Sequence, residues 1–435
     1  MAEKKIAVKW GSKVVDIPVR DDMTGCAFKQ EISDLLGIPP KRQKLLGARV
    51  ADSEILPVNI LNGRQRLMLV GTADVATAVQ AGDQKNTPES SPEERARVYL
   101  RKEIIGLANL GNTCYLNSAL QMLRCIRELR GVFESTLEQQ CCHDPFLAEL
   151  RKIMLHQGKD STAPTVPTRL VECFHGAYPA FAERSQEGFL LQHDSQEALT
   201  IILTHIEKAL KKVSASGQSP FGDLFHISQR ETLECTAHDA NTEPEKKTTH
   251  SPSLMLVCHV HGDVSTIENG IESSFRPEPI EKHSDALGRN AIWQRTSLIE
   301  KLPQYIFVHI ARFMWRQDTA QKAKILKNIT FPMTLQASRF PQVEPTKKEY
   351  SLVSVITHKG RTGDSGHYVA WSKQEIPSLE DQSARDGTAS TRASQSVWVV
   401  LDDDCSSVVS EEDIKRLSGG GESHSAYVLL YKVIE

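Results

Sequence analysis

Gly106-Leu107-Ala108-Asn109-Leu110-Gly111-Asn112-Thr113-Cys114-Tyr115-Leu116-Asn117-Ser118-Ala119-Leu120-Gln121 is the stretch on which the reading of this chain turns. Its glycines and its first two asparagines make a loop. After the loop, Leu116, Ala119, Leu120, Leu123 and Ile126 recur at helical spacing, which predicts an amphipathic helix with Cys114 in its first turn. The free amides and positive dipole end of such a helix stabilise a thiolate, the form of cysteine that attacks carbonyl carbon. Asn109 lies upstream on the same loop, where its side-chain amide is placed to fold over the sulfur as an oxyanion donor.

Composition narrows the setting. The 435 residues are 40% hydrophobic and 25% charged, enough for two or three globular domains. A net charge of −3 gives no reason to expect a nucleic-acid or membrane partner. The sequence contains no apolar run of membrane-spanning length, and Met-Ala-Glu-Lys-Lys lacks the apolar core of a signal peptide, so a cytoplasmic protein is expected. Nine cysteines, odd in number and irregular in spacing, fit free thiols in a reducing compartment.

Residues 1–73 read as a small domain of hairpin, helix and further strands. Ile6 to Trp10 and Lys13 to Val19 are joined by Gly11-Ser12, and a helix from Cys26 to Leu36 carries Phe28, Ile32 and Leu35 at helical spacing. Gln43 to Leu46 and Arg66 to Val70 are the next strands. Residues 74–97 turn to Ala, Gly, Gln, Ser, Pro and acids, the composition of a flexible linker. Residues 98–435 form one larger domain. Helical patterns run to about residue 212, including Asp194 to Leu210 with Ala198, Ile201, Ile202, Ile206 and Leu210 along one side. Strands follow at Tyr305 to Ile310, Leu352 to Thr357, His367 to Trp371, Val397 to Leu401 and Ala426 to Lys432, interrupted by polar segments at 236–251 and 373–396.

A cysteine hydrolase needs a base within reach of the sulfur and a group that orients the base. Of fifteen histidines, His367 stands out: Gly363-Asp364-Ser365-Gly366 precedes it and Tyr368-Val369-Ala370-Trp371 begins a strand behind it. Thirty-five residues on, the strand Trp398 to Leu401 runs into Asp402-Asp403-Asp404. If the two strands are sheet neighbours, Asp402 meets His367, with Asp403 as a second support. Singly, each residue has an ordinary structural explanation; together they make a triad.

These motifs resemble the two signature boxes of the ubiquitin-specific proteases. Gly106 to Gln121 corresponds to the cysteine box and Tyr350 to Tyr431 to the histidine box. The domain at 1–73, with Val8-Lys9-Trp10-Gly11 and Arg42-Gln43-Lys44, resembles the ubiquitin-like domain of the proteasome-associated members. The resemblance implies an α+β protein, an N-terminal ubiquitin-like β-grasp followed by a papain-like protease domain with helical thumb, β palm and fingers. It implies hydrolysis after ubiquitin's C-terminal glycine by Cys114, His367, Asp402 and Asn109. Gln192, Asp194 and Glu197 are implied to hold ubiquitin's tail, and Gly366 and Tyr368 to join the substrate-binding residues. The implied partners are ubiquitin, ubiquitinated proteins and the proteasome regulatory particle, the last through the ubiquitin-like domain, with nuclear residence alongside the proteasome. Segments 331–343 and 359–366 are expected to block the tail groove until the proteasome docks. No cofactor enters the chemistry. Cys235, Cys258, His259 and His261 lack zinc-ribbon spacing, so no metal is expected. Two other functions share these features, a protease for another ubiquitin-like modifier and a non-catalytic ubiquitin-binding proteasome regulator.

Overall fold

A computed structural model describes residues 4–10, 13–19, 23–36, 43–46, 67–70, 104–156, 164–213, 220–237, 244–317, 321–363, 365–376 and 395–434. The expected linker at 74–97 lies outside the described residues. The chain divides into two units, Met1–Glu89 and Ser90–Glu435.

In the first unit, β1 (Lys4–Trp10) and β2 (Lys13–Val19) pair antiparallel, followed by α1 (Gly25–Leu36), β3 (Lys44–Leu46) and β4 (Leu67–Val70). The sheet order is β2-β1-β4-β3, with β1 and β4 parallel. Period-two alternation buries Ile6, Val8, Ile17, Val19, Leu67 and Leu69 on one face, where Phe28 and Ile32 of α1 meet them. Leu35, expected on that same face, is 52% exposed, so the buried stripe of α1 ends at Ile32.

The second unit begins with helices: α2 (Cys114–Arg124), α3 (Arg127–Gly131), α4 (Pro145–Leu155), α5 (Thr168–Ala177), α6 (Ser195–Val213) and α7 (Pro220–Phe225). The first ten residues of α2 are buried all round, as befits a helix enclosed by others rather than lying on a surface. Its Leu116, Ala119, Leu120 and Leu123 share a core with Ala198, Ile202 and Ile206 of α6. No described helix is long and apolar enough to cross a membrane.

Strands take over from Ile227. They are β5 (Ile227–Cys235), β6 (Lys246–Ser253), β7 (Met255–His259), β8 (Glu278–Ser284), β9 (Arg289–Lys301), β10 (Tyr305–Ala311), β11 (Phe313–Arg316) and β12 (Gln321–Lys324). After them come β13 (Thr334–Gln336), β14 (Glu349–Lys359), β15 (His367–Ile376), β16 (Gln395–Asp402), β17 (Cys405–Val409) and β18 (Ser425–Val433), with α8 (Ile267–Ser274) and α9 (Glu411–Lys415) between strands. The central sheet runs β17-β16-β15-β14-β18-β10-β7, with β13 on β14, and α2 packs on it through β15. A second sheet runs β6-β5-β9-β8, and β11 and β12 form a separate hairpin. The polar segment 236–251 is partly strand: from Lys246 on it pairs with β5, and it reads as polar because it is an exposed edge. The 373–396 segment is strand at both ends, with Lys373 opposite Trp398 and Ile376 opposite Gln395, and residues 377–394 lie outside the described residues.

Candidate active site

Cys114 opens α2 and is 2% exposed. The Thr113 carbonyl accepts the amides of Leu116 and Asn117, at 3.1 and 3.0 Å. No acceptor among the described residues engages the backbone N–H of Cys114 or Tyr115, two of the donors that a helix start leaves unpaired. The loop before the helix is held by Asn109. Its Oδ1 accepts the backbone amides of Gly111, at 3.0 Å, and Thr113, at 3.2 Å.

His367 begins β15 and Asp402 ends the neighbouring β16, so antiparallel pairing brings together residues far apart in sequence. His367 Nε2 lies 2.5 Å from Asp402 Oδ1. That leaves Nδ1 for the sulfur. The hydrogen bond to Asp402, and next the one to Cys114, push the His367 imidazole up to about 10 against the opposing effect of burial. The same bond from His367 holds the Asp402 carboxyl below its ordinary range. A protonated, oriented imidazole beside a thiol is the arrangement that keeps a cysteine nucleophile charged and a proton donor ready.

Asp403 has a larger part than second support for His367, from which it stands 3.9 Å. Its φ of +49° turns the β16–β17 hairpin, a conformation that aspartate tolerates better than most residues. The side chain then points inward, accepting Asn109 Nδ2 at 2.9 Å and Asn117 Nδ2 at 2.8 Å. Its carbonyl accepts Leu107 N at 2.8 Å. Burial raises the Asp403 carboxyl, opposed by the bonds from Asn117 and Asn109. Thus the cysteine loop and the aspartate turn are bolted together directly. Gly106 permits the approach: a Cβ there would stand 2.4 Å from the Asp404 carbonyl oxygen. Asn117, inside the quoted stretch, was not singled out by sequence reasoning. Its spacing, one turn after Cys114 and on the same side of the helix, was the available signal.

A second cluster adjoins the first through α2 and α6, whose Ser118 and Ser195 hydroxyls meet at 3.0 Å. Asp194, expected to meet substrate, is buried at 7% exposure. Its Oδ2 accepts the Tyr427 hydroxyl at 2.6 Å and Lys322 Nζ at 3.3 Å, and its Oδ1 accepts Gln196 N at 2.9 Å. Lys322 therefore already occupies this acid. Glu197 is exposed one turn along, and Gln192 Nε2 is buried without an acceptor among the described residues. Tyr368 is buried against His358, with ring centres 4.7 Å apart. Gly366, at φ +144°, lies where a Cβ would be 2.4 Å from the Lys359 carbonyl oxygen, so its place follows from backbone packing.

The two expected blocking segments part company. Residues 359–366 lie beside β12, where Gly363 N donates to Lys322 O at 3.1 Å. Residues 331–343 are instead committed to the sheets, through β13 on β14 and Gln342 against Ile299. The element next to the 359–366 loop is the β11–β12 hairpin, which carries Lys322. Cys235 and Cys258 fall in different cores.

Residues 105–431 match the family described as "Ubiquitin carboxyl-terminal hydrolase". The chain is 30% identical to ubiquitin carboxyl-terminal hydrolase 6 of Arabidopsis thaliana, with 98% of each chain covered. It is 28% identical to ubiquitin carboxyl-terminal hydrolase 6 of Schizosaccharomyces pombe, again over 98% of each. With ubiquitin carboxyl-terminal hydrolase 14 of Caenorhabditis elegans the identity is 27%, covering 98% of this chain and 93% of the relative. With a helix-mounted cysteine, an aspartate-bound histidine and this match over most of its length, the chain belongs to the ubiquitin carboxyl-terminal hydrolase family of cysteine-protease deubiquitinases.

Proposed function

We propose that this enzyme cleaves the isopeptide bond between ubiquitin's C-terminal glycine and a lysine amine, acting at the proteasome to trim ubiquitin from substrates. The observation that carries the reading is the Cys114, His367 and Asp402 assembly at a helix start with unpaired amides. Cys114 attacks the glycine carbonyl. The oxyanion is held by the Cys114 backbone N–H and by Asn109, whose Nδ2 has a second hydrogen besides the one given to Asp403. One such donor is worth about a hundred- to a thousandfold in rate. His367 passes its proton to the departing lysine amine, then takes one from the water that opens the thioester.

Several parts of the chain support the finer points. The helical layer, central sheet and second sheet of Ser90–Glu435 stand as thumb, palm and fingers. The mixed sheet of Met1–Glu89 supports a ubiquitin-like docking domain for the proteasome regulatory particle. Residence in the cytoplasm, and in the nucleus alongside the proteasome, follows from that docking. Gln192, Asp194 and Glu197 line the tail path, with Gly366 and Tyr368 shaping its floor.

A ubiquitin C-terminal fluorogenic substrate and a ubiquitin electrophile probe test the reading, with and without proteasomes. Labelling of the wild type that disappears in Cys114→Ala, with faster turnover when proteasomes are added, is the expected result. Absence of labelling under both conditions sinks the enzyme reading. Preference for a probe built on another ubiquitin-like modifier redirects the substrate, and equal rates with and without proteasomes remove the proteasomal role.

A further inference from the structure

A cavity of about 550 Å³ opens far from the catalytic cleft, where α2 and α3 meet β15, β16 and the end of β18. Arg124 ends the helix that Cys114 begins, about 15 Å along its axis. Lys373 lies six residues beyond His367 on β15, about 20 Å away. The lining holds five cations, Arg124, Arg127, Arg130, Lys373 and Lys432, and one acid, Glu375. Glu375 is taken by Arg127, while Glu134 and Glu128 take Arg130 and Lys432. Two cations remain without a carboxylate among the described residues. Arg124 gives its N–H groups to the carbonyls of Ile153 and His156, each at 3.2 Å. Burial and the neighbouring Arg130 bring its guanidinium down to about 10. Lys373 is half-buried on the opposite wall.

A largely enclosed guanidinium beside a second guanidinium, held by carbonyls and with no carboxylate of its own among the described residues, is an arrangement that a bound anion relieves. Concentrated positive charge is also not what a chain of net charge −3 shows by default. Arginine forks suit phosphate oxygens, and the volume fits a small molecule. We propose that this cavity is a binding site for a small ligand carrying several phosphate groups, separate from the ubiquitin-processing cleft.

The test is calorimetric titration of the full chain with inositol hexakisphosphate at about 0.15 M salt, where non-specific attraction is screened. Saturable binding of one molecule per chain is expected. The double variant Arg130→Glu with Lys373→Glu, checked for an unchanged melting temperature, weakens it at least tenfold. Lys247→Glu, which alters charge on β6, leaves affinity unchanged, and ligand-free hydrolysis by Lys373→Glu matches the wild type. Phosphatidylcholine vesicles carrying phosphatidylinositol bisphosphate separate the sources. Recruitment displaced by the soluble probe assigns a lipid headgroup, and soluble binding without recruitment assigns a free polyphosphate. Lack of saturable binding, binding indifferent to the double variant, equal loss in Lys247→Glu, or vesicle binding that the soluble probe does not displace would overturn the proposal.

Discussion

Asp403→Asn tests whether the aspartate turn positions the oxyanion side of the site. Asparagine has nearly the same size and tolerates the φ of +49°, so the substitution changes charge and hydrogen bonding and little else. Asp403 now accepts two amide N–H groups on its two oxygens, from Asn109 at 2.9 Å and Asn117 at 2.8 Å. An asparagine has one oxygen, so one of these donors faces another N–H₂ and loses its partner. The lost bond to a charged acceptor and the stranded amide give about 1–3 kcal/mol of destabilisation. Relief of the carboxylate's own burial, visible in its raised pKa, offsets part of this. Melting should therefore drop by a few degrees. If Asn109 swings away, kcat on a ubiquitin C-terminal fluorogenic substrate falls about a hundredfold while KM changes little. In a cycle with Asn109→Ala, the double variant is expected to be no slower than the slower single, because both act through one group. Wild-type kcat in Asp403→Asn, or full additivity in the cycle, refutes the positioning role.

Further predictions concern the triad, its mounting and the tail path. The His367 imidazole is raised in the folded state, so its contribution to stability is complete below its unfolded pKa of about 6.5 and is lost as pH rises toward about 10. The Asp402 carboxyl is depressed, so its contribution holds above about 3.9 and fades as pH falls through its lower folded value. The melting-temperature gap between wild type and Asp402→Asn should then be widest near pH 5–6 and shrink on the alkaline side; a flat gap across pH contradicts the pairing. Gly106→Ala forces a Cβ to within 2.4 Å of the Asp404 carbonyl oxygen, so the turn moves and electrophile labelling slows at least tenfold, with labelling at the wild-type rate as the contrary result. Lys322→Ala frees Asp194 from a cation at 3.3 Å, and if substrate must displace that lysine, KM for ubiquitin falls about fivefold, matching about 1 kcal/mol for a partly buried pair. An unchanged or higher KM argues that Lys322 stays in place during turnover.

What the sequence alone determined is carried by short-range rules. Helical spacing after Cys114, the strands at Ile6 to Trp10 and His367 to Trp371, and the helix from Asp194 onward were all legible, because local residue pattern reports element type. The meeting of His367 with Asp402 was conditional on strand adjacency, which only the β15–β16 pairing supplies. Tertiary structure decided the rest. Asp403 is one of three identical neighbours in sequence, and only its left-handed turn aims it at Asn109 and Asn117. Asp194 read as a substrate-facing acid, yet Tyr427, over two hundred residues away, and Lys322 enclose it. Residues 331–343 read as a free-standing segment over the groove, yet β13 pairs with β14 and ties them to the central sheet. The cationic cavity was invisible in a chain of balanced charge, since Arg124, Lys373 and Lys432 converge only once α2 lies on the central sheet. Local sequence sets which face each element buries; long-range pairing sets which elements meet, and the chemistry depends on the meeting.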